Sequence, residues 1–195
     1  MPNFAAFLSY AFVTTFTPGP NNILSMTFGT RLGFKKALKF ISGVTTGFAI
    51  VMTLCSYFNL LLFTMIPQFE GFMKLLGAIY IVYLAVKILK SSPEETDSPV
   101  DKNNTFAVGL LLQFFNPKVI LYGITVTSNF ITPYYKAGMI TFIFSLFLAF
   151  LSFLSTCSWA LFGAAFQKFL KKHKNAFNIV MALLLLYCAF SILCS

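Results

Sequence analysis

Residues 17–22 read TPGPNN and interrupt an apolar stretch that we place at residues 4–30. Proline within a helix removes one backbone hydrogen bond and clashes with the preceding turn. If this stretch lies in a lipid bilayer, the freed polar groups must be paired within protein or in a water-filled cavity, because hydrocarbon offers no partner. The sequence therefore predicts a helix that is broken at TPGPNN, with the break facing away from lipid.

A second interruption, Asn116-Pro117, divides the apolar stretch at residues 106–130. At 1.5 Å of rise per residue, Pro18 lies about 21 Å from the start of its stretch and Lys118 about 18 Å from the start of the other. Both positions are near the middle of a hydrocarbon core about 30 Å thick. The two breaks are therefore expected at similar depth.

The composition supports a membrane protein. Of the 195 residues, 58% are hydrophobic and 10% are charged, whereas soluble domains contain about 25% charged residues. A soluble domain of this size could not bury so much apolar surface. At about 20 apolar residues per span, the chain can supply five to six spans. Hydropathy places six apolar stretches at residues 4–30, 38–65, 69–90, 106–130, 137–163 and 175–194.

The polar loop at residues 91–105 separates two halves, repeat one at residues 1–90 and repeat two at residues 106–195. Two halves of three spans each enter the membrane with opposite orientation, and the first helix of each half is broken. This is the inverted-repeat plan of many transporters. We therefore predict an all-α integral membrane protein with a single transport domain over residues 1–195. Its six transmembrane helices form two inverted three-helix repeats, with helices 1 and 4 interrupted near the midplane.

The net charge of +9 is explained by where the basic residues lie. Eleven of the fourteen fall in the loops after helices 1, 3 and 5, and only Lys74 and Lys136 fall in the loops on the other face. The positive-inside rule makes the first face cytoplasmic and places both termini outside. A nucleic-acid partner is not needed to account for the charge. The eleven residues are Arg31, Lys35, Lys36, Lys39, Lys87, Lys90, Lys102, Lys168, Lys171, Lys172 and Lys174.

The two breaks are the candidate binding site. A broken helix offers N–H groups that attract anions and carbonyls that attract cations, which suits a zwitterion. Lys118 is the only ionisable side chain placed within a span, and the cost of a charge there predicts that it faces the bundle interior and holds an anion. The alternatives are kinks that only shape helix packing, and a lysine that extends to a lipid headgroup. The candidate substrate-binding residues are Pro18, Gly19, Pro20, Asn21, Asn22, Asn116, Pro117 and Lys118.

Other polar and small residues have simpler interpretations. The stripe of Ser152, Ser155 and Thr156 is typical of hydroxyl groups that hold membrane helices together. The spacing Gly43-x-x-x-Gly47 indicates close helix packing, and Gly29-x-x-x-Gly33 indicates it more weakly. No carboxylate lies securely within a span, and no phosphate-binding loop, metal-ligand spacing or catalytic acid pair is present. The sequence therefore favours neither an enzyme nor a protein with a cofactor or bound metal.

Three segments of the chain resemble the LysE/RhtB family of bacterial amino-acid exporters. They are TPGPNNILSMTFGTRLGFKKALKFISGVTTG at 17–47, KLLGAIYIVYLAVKIL at 74–89 and QFFNPKVILYG at 113–123. By motif match, the family's functional positions fall on Pro18, Gly19, Pro20 and Asn22 in helix 1, and on Asn116, Pro117 and Lys118 in helix 4.

The resemblance implies a secondary transporter in the bacterial cytoplasmic membrane, coupled to the proton gradient and working by alternating access. Its implied substrates are small neutral amino acids or metabolites such as cysteine and O-acetylserine. The alternatives are an uptake carrier, or an exporter of homoserine, threonine or leucine. The expected partners are the amino-acid substrate and the lipid bilayer, and association as a homodimer is left open.

Overall fold

The computed structural model describes residues 4–59, 75, 78–86, 88–89 and 105–194, and all regular structure in these ranges is helical. The helices are α1 (Phe4–Phe16), α2 (Pro20–Leu32), α3 (Phe34–Tyr57), α4 (residues 78–86, with 88 and 89 also helical), α5 (Thr105–Phe115), α6 (Pro117–Val126), a π-helical turn (Thr127–Ile131), α7 (Met139–Ala165), α8 (Gln167–Lys172) and α9 (Lys174–Cys194).

Both predicted helix breaks are confirmed. Gly19, in extended conformation, separates α1 from Pro20, the first residue of α2. Asn116, also extended, separates α5 from Pro117, the first residue of α6. Proline suits a first helical position because its missing N–H would have no partner there. Each proline therefore begins a new helix, and α5 meets the helical segment Pro117–Ile131 at a bend of 59°.

The described part of the chain contains two helices, α3 and α7, that are long and apolar enough to cross a membrane, and a third span if the bent pair Thr105–Phe115 and Pro117–Ile131 counts as one. These correspond to the predicted spans at 38–65, 137–163 and 106–130. α1 and the segment Asn175–Phe190 are apolar but shorter. The predicted span at 69–90 lies partly, and the loop at 91–105 almost wholly, outside the described residues, so the total of six spans stays a prediction.

Side-chain contacts define two ends of the helix bundle. At the first, which we call the basic end, Arg31 Nη2 donates to Asn178 Oδ1 (3.3 Å) and Thr30 Oγ1 donates to the Gly163 carbonyl (3.2 Å). The end of α2, the end of α7 and the start of α9 therefore meet there. At the opposite end, Tyr57 OH donates to the Gly138 carbonyl (3.3 Å), which joins the end of α3 to the start of α7.

The same contacts give the direction of each helix. Phe7, near the start of α1, packs its ring against Phe130 and Phe144 at the opposite end. The pair α1 and α2 thus runs from the opposite end to the basic end. Phe106, at the start of α5, lies against Gly43 near the start of α3, and Ser128, after α6, accepts from Asn59 Nδ2 (2.9 Å). The pair α5 and α6 therefore runs in the reverse direction.

The polarity of the bundle is that of a helical membrane protein. Large apolar side chains cover its outside, including Leu111 (54% exposed), Phe150 (55%) and Phe190 (66%). Polar side chains lie in its interior, among them Ser25 and Gln113, both 0% exposed. Two apolar clusters form the rest of the core. One centres on Phe28, Phe40, Ile81 and Leu185, and the other on Phe7, Met52, Tyr122 and Leu148.

Glycines allow α3 and α5 to approach closely. A side chain at Gly43 would collide with the backbone carbonyl of Phe106, and one at Gly47 would collide with that of Leu110. Small residues at a helix interface are the usual means of close approach in membranes, where helices gain no hydrophobic energy by leaving lipid. The predicted packing role of Gly43-x-x-x-Gly47 is confirmed.

The two glycines of the spacing Gly29-x-x-x-Gly33 have different structural roles. Gly29 of α2 lies against the backbone of Ala160 in α7, and Gly163 of α7 lies against the Met26 carbonyl. Gly33 contacts no other element and instead adopts φ +79° between α2 and α3. The packing prediction is therefore right for Gly29 and wrong for Gly33, which is needed for the left-handed conformation of a tight link.

We expect Gly43→Ala to force α3 and α5 apart, because its new methyl group would meet the Phe106 backbone rather than a flexible side chain. The cost should be about 1–3 kcal/mol, as for other overpacked cores. Thermal unfolding of the detergent-solubilised protein checks this through a Tm lower by several degrees. Gly138→Ala is the matched control, since its nearest atom, the Lys136 carbonyl oxygen, is 4.0 Å away. Equal Tm values for the two variants would contradict the close approach.

Candidate functional site

A cavity with about 380 Å³ of empty space, including its opening, lies where the two helix breaks meet. Its walls come from α1, α2, α3, α6, α7 and the two breaks. The lining residues are Thr14, Thr15, Gly19, Pro20, Asn21, Asn22, Phe48, Asn116, Lys118, Val119, Tyr122 and Ser152.

The structure brings six of the eight predicted site residues into this lining. The other two, Pro18 and Pro117, are adjacent in sequence to lining residues but are not part of the wall. Pro117 is buried at the start of α6, while Pro18 is exposed and contributes its carbonyl to the break. Both prolines thus shape the breaks, and neither side chain forms the cavity surface.

Lys118 joins the two breaks. Its Nζ donates to the Thr17 carbonyl (2.9 Å) and, at longer range, to the Pro18 carbonyl (3.5 Å). These carbonyls lie where α1 has ended, so they accept no hydrogen bond from a continuing helix. Lys118 therefore extends into the break of helix 1 and not toward a lipid headgroup, and its hydrogen-bond partners among the described residues are backbone carbonyls.

Gly19 gives the lysine side chain its room. A methyl group at Gly19 would come within 3.0 Å of both Cδ and Nζ of Lys118. The glycine between the two prolines is thus explained by the lysine that it faces, since its own backbone is extended and open to any residue.

A cluster of three amides connects α2 with α5. Asn21 Nδ2 donates to Gln113 Oε1 (2.8 Å), and Gln113 Nε2 donates back to Asn21 Oδ1 (3.1 Å). Asn116 Nδ2 also donates to Asn21 Oδ1 (3.3 Å). Gln113 Nε2 further donates to the Gly109 carbonyl (2.8 Å) within α5. Hydrogen bonds between these side chains therefore link the two helix breaks directly.

Asn22 closes the open end of α1. Its Nδ2 donates to the carbonyls of Thr15 (2.9 Å) and Thr17 (3.0 Å), and its Oδ1 accepts from Ser155 Oγ (3.2 Å). Ser155 Oγ also lies 3.0 Å from the Thr15 carbonyl. Both protons of Asn22 Nδ2 are thus occupied by protein carbonyls, and Ser155 holds helices together as its stripe predicts.

Two hydroxyls in the cavity wall are buried without a hydrogen-bond partner among the described residues. They are Thr15 Oγ1 and Tyr122 OH. The two hydroxyls lie near each other, but their geometry does not meet that of a hydrogen bond. Buried hydroxyls normally find a partner, so these two are available to a molecule that enters the cavity.

Sequence reasoning missed Gln113, Thr15 and Tyr122. Gln113 carried a usable signal, because it is an amide in an apolar stretch and lies three residues before Asn116, on the same helix face. Thr15 and Tyr122 carried no such sequence signal, because a threonine and a tyrosine within apolar stretches are ordinary packing residues until their neighbours are known.

Two broken helices that meet at a cavity are the arrangement in which many membrane transporters build their binding site. The model of the LysE type translocator family matches residues 12–195. The chain belongs to this family, which confirms the resemblance found in its motifs.

Curated relatives cover almost the whole chain. The cysteine/O-acetylserine efflux proteins of Escherichia coli (strain K12) and Shigella flexneri serotype 5b are each 39% identical to it over 185 residues. The matched region is 95% of this chain and 94% of each relative. No solved structure matches the chain. The family and these relatives indicate a bacterial membrane transporter rather than an enzyme.

We expect Gln113→Leu to destabilise the protein by about 1–3 kcal/mol, because the Asn21 amide then loses its reciprocal partner in a buried site. Thermal unfolding in detergent measures the loss. Gln167→Leu, at the half-buried start of α8, is the control. The double variant Asn21→Leu with Gln113→Leu should lose less than the sum of the two single variants, since removing both partners leaves fewer polar groups unpaired. Strict additivity would show that the two amides are not coupled.

Proposed function

We propose that this chain exports small neutral amino acids or their metabolites from bacteria, with cysteine and O-acetylserine as the first candidates. The observation that carries the proposal is the Lys118 ammonium, which is held by the carbonyls of a broken helix in the wall of a cavity that both helix breaks line. The 39% identity to efflux proteins named for these two substrates favours them over other amino acids.

A zwitterion fits this arrangement better than a simple ion does. Its carboxylate can take the place of the carbonyls as the partner of Lys118, and the released Thr17 and Pro18 carbonyls can then accept hydrogen bonds from its ammonium group. An anion alone would take Lys118 away from both carbonyls and leave the Thr17 carbonyl with Asn22 as its donor, and a cation alone would compete with the lysine. Exchange of partners at Lys118 thus satisfies both charges of an amino acid at once.

The proposed transport cycle is alternating access between two inverted three-helix repeats. It is supported by the opposite directions of the pair α1 and α2 and the pair α5 and α6, the first helices of the two proposed repeats. The amide cluster of Asn21, Gln113 and Asn116 would keep the breaks together while the surrounding helices rock. Proton coupling stays part of the proposal. None of the described residues that line the cavity carries a carboxylate.

Export can be tested in proteoliposomes loaded with labelled O-acetylserine or reduced cysteine. We expect efflux with the wild-type protein and a loss of at least tenfold with Lys118→Gln, which keeps a polar side chain, shorter by one atom, but removes the charge that holds the carboxylate. Lys136→Gln, in an exposed turn at the opposite end, should transport like the wild type. An imposed pH gradient should change the wild-type rate if transport is coupled to protons.

Three other results would each contradict one part of this proposal. Efflux that persists unchanged in Lys118→Gln would exclude the proposed site but leave the activity. Accumulation of external label under a physiological ion gradient, with no efflux, would favour the uptake alternative. A broad preference for threonine, homoserine or leucine over both candidates would keep the transport class and replace the substrates.

The proposed membrane orientation, with the basic end in the cytoplasm and both termini outside, is supported by Arg31, Lys35 and Lys168 lying at one end. In a background with the four native cysteines replaced by serine, an impermeant maleimide added to intact cells should label Lys136→Cys and leave Lys172→Cys unlabelled until the cells are opened. Both positions are exposed. Reversed labelling would overturn the orientation.

A further inference from the structure

Thr15 Oγ1 and Tyr122 OH are buried oxygen atoms in the cavity wall, and neither has a hydrogen-bond partner among the described residues. The Tyr122 side chain is only 5% exposed. A buried hydroxyl without a partner costs free energy, and proteins rarely retain one without a reason such as a missing ligand. The pair lies in the wall of the cavity where the two helix breaks meet.

The pair lines the same cavity as Lys118. Tyr122 follows Lys118 by four residues on α6, so the two side chains share a helix face and are separated by about 6 Å along the axis. Thr15 lies in the last turn of α1, beside the break that Lys118 reaches. A substrate whose carboxylate contacts Lys118 would therefore extend its side chain toward the two hydroxyls.

The tyrosine ring is held firmly. It stacks on Tyr10 with ring centres 5.9 Å apart and planes at 16°, and it packs against Phe48 at 6.0 Å. A fixed ring places its hydroxyl at a defined point, so that a hydrogen bond to a ligand does not require the side chain to be ordered first.

We propose that Thr15 and Tyr122 form a side-chain subsite that selects amino acids whose short side chain ends in a hydrogen-bonding group, such as an ester carbonyl, a hydroxyl or a thiol. The inference rests on the proposed function. A hydroxyl can both donate and accept, so the pair can bond to any of these groups. An aliphatic side chain of the same length leaves both hydroxyls unpaired, and sites built to hydrogen-bond a substrate reject such analogues.

The test compares O-acetylserine with norleucine, which has the same side-chain length but no ester oxygens. Efflux rates of the two labelled compounds are measured from matched proteoliposomes. The wild type should favour O-acetylserine, and Tyr122→Phe should reduce the ratio of the two rates by about five- to tenfold, since one hydrogen bond is lost and the pocket becomes more apolar. Thr15→Val should act in the same direction.

Tyr135→Phe is the control, because Tyr135 packs on Phe144 and does not line the cavity. The ratio should not change in this variant. Tyr122→Phe keeps the ring and its stacking, and an unchanged Tm would show that the fold is intact. Should Tyr122→Phe unfold, Thr15→Val supplies the same comparison from the other wall.

The outcomes separate this inference from the proposed function. If the wild type transports neither compound nor cysteine, the proposed function fails and the subsite fails with it. If the wild type exports O-acetylserine and neither Tyr122→Phe nor Thr15→Val changes the ratio, the subsite is wrong and the exporter stands. Equal losses for both compounds would likewise overturn selection by the hydroxyls, because a structural defect affects all substrates.

Discussion

A helix broken inside a membrane must find hydrogen-bond partners for its open end, and the rest of this structure depends on that constraint. The hydrogen bond from Lys118 to the carbonyl of Thr17 provides one such partner. Water cannot serve freely at that depth, and each unpaired backbone group costs several kcal/mol in hydrocarbon. The chain supplies partners from its own side chains. Lys118 and Asn22 cover the end of α1, and Asn116 Oδ1 accepts from the Lys118 backbone N–H (3.2 Å) at the start of α6.

This constraint also explains where the helices lie. α2 begins at the first break and is buried along almost its whole length, which is required because its polar residues cannot face lipid. Burying it demands close neighbours, and the contact of Gly29 with the Ala160 backbone provides one of them. Gly43 does the same for the contact between α3 and α5. The glycines are thus consequences of the breaks, since a polar central helix needs backbones packed tightly around it.

The limits of sequence reasoning follow from the same physics. Both breaks and the close approach at Gly43 could be predicted, because a proline or a small-residue spacing acts through local geometry. The partners of the polar side chains could not, because they depend on which helices become neighbours. Asn22 is predicted to contact substrate, and that stays a prediction, but its bonds to Thr15, Thr17 and Ser155 could not be predicted. Gln113 was passed over although it is fully buried and bonded to Asn21, a residue 92 positions away.

The proposed exchange of partners at Lys118 bears on how an exporter can return empty. A carrier must reorient both with and without substrate, and a buried lysine that lost its only partner on substrate release would resist that step. Under the proposed exchange, the carbonyls of Thr17 and Pro18 would hold the lysine charge whenever no carboxylate does. The break in helix 1 would then act both as substrate site and as the alternative partner of the lysine, which is a physical reason for placing two prolines and a glycine opposite a lysine.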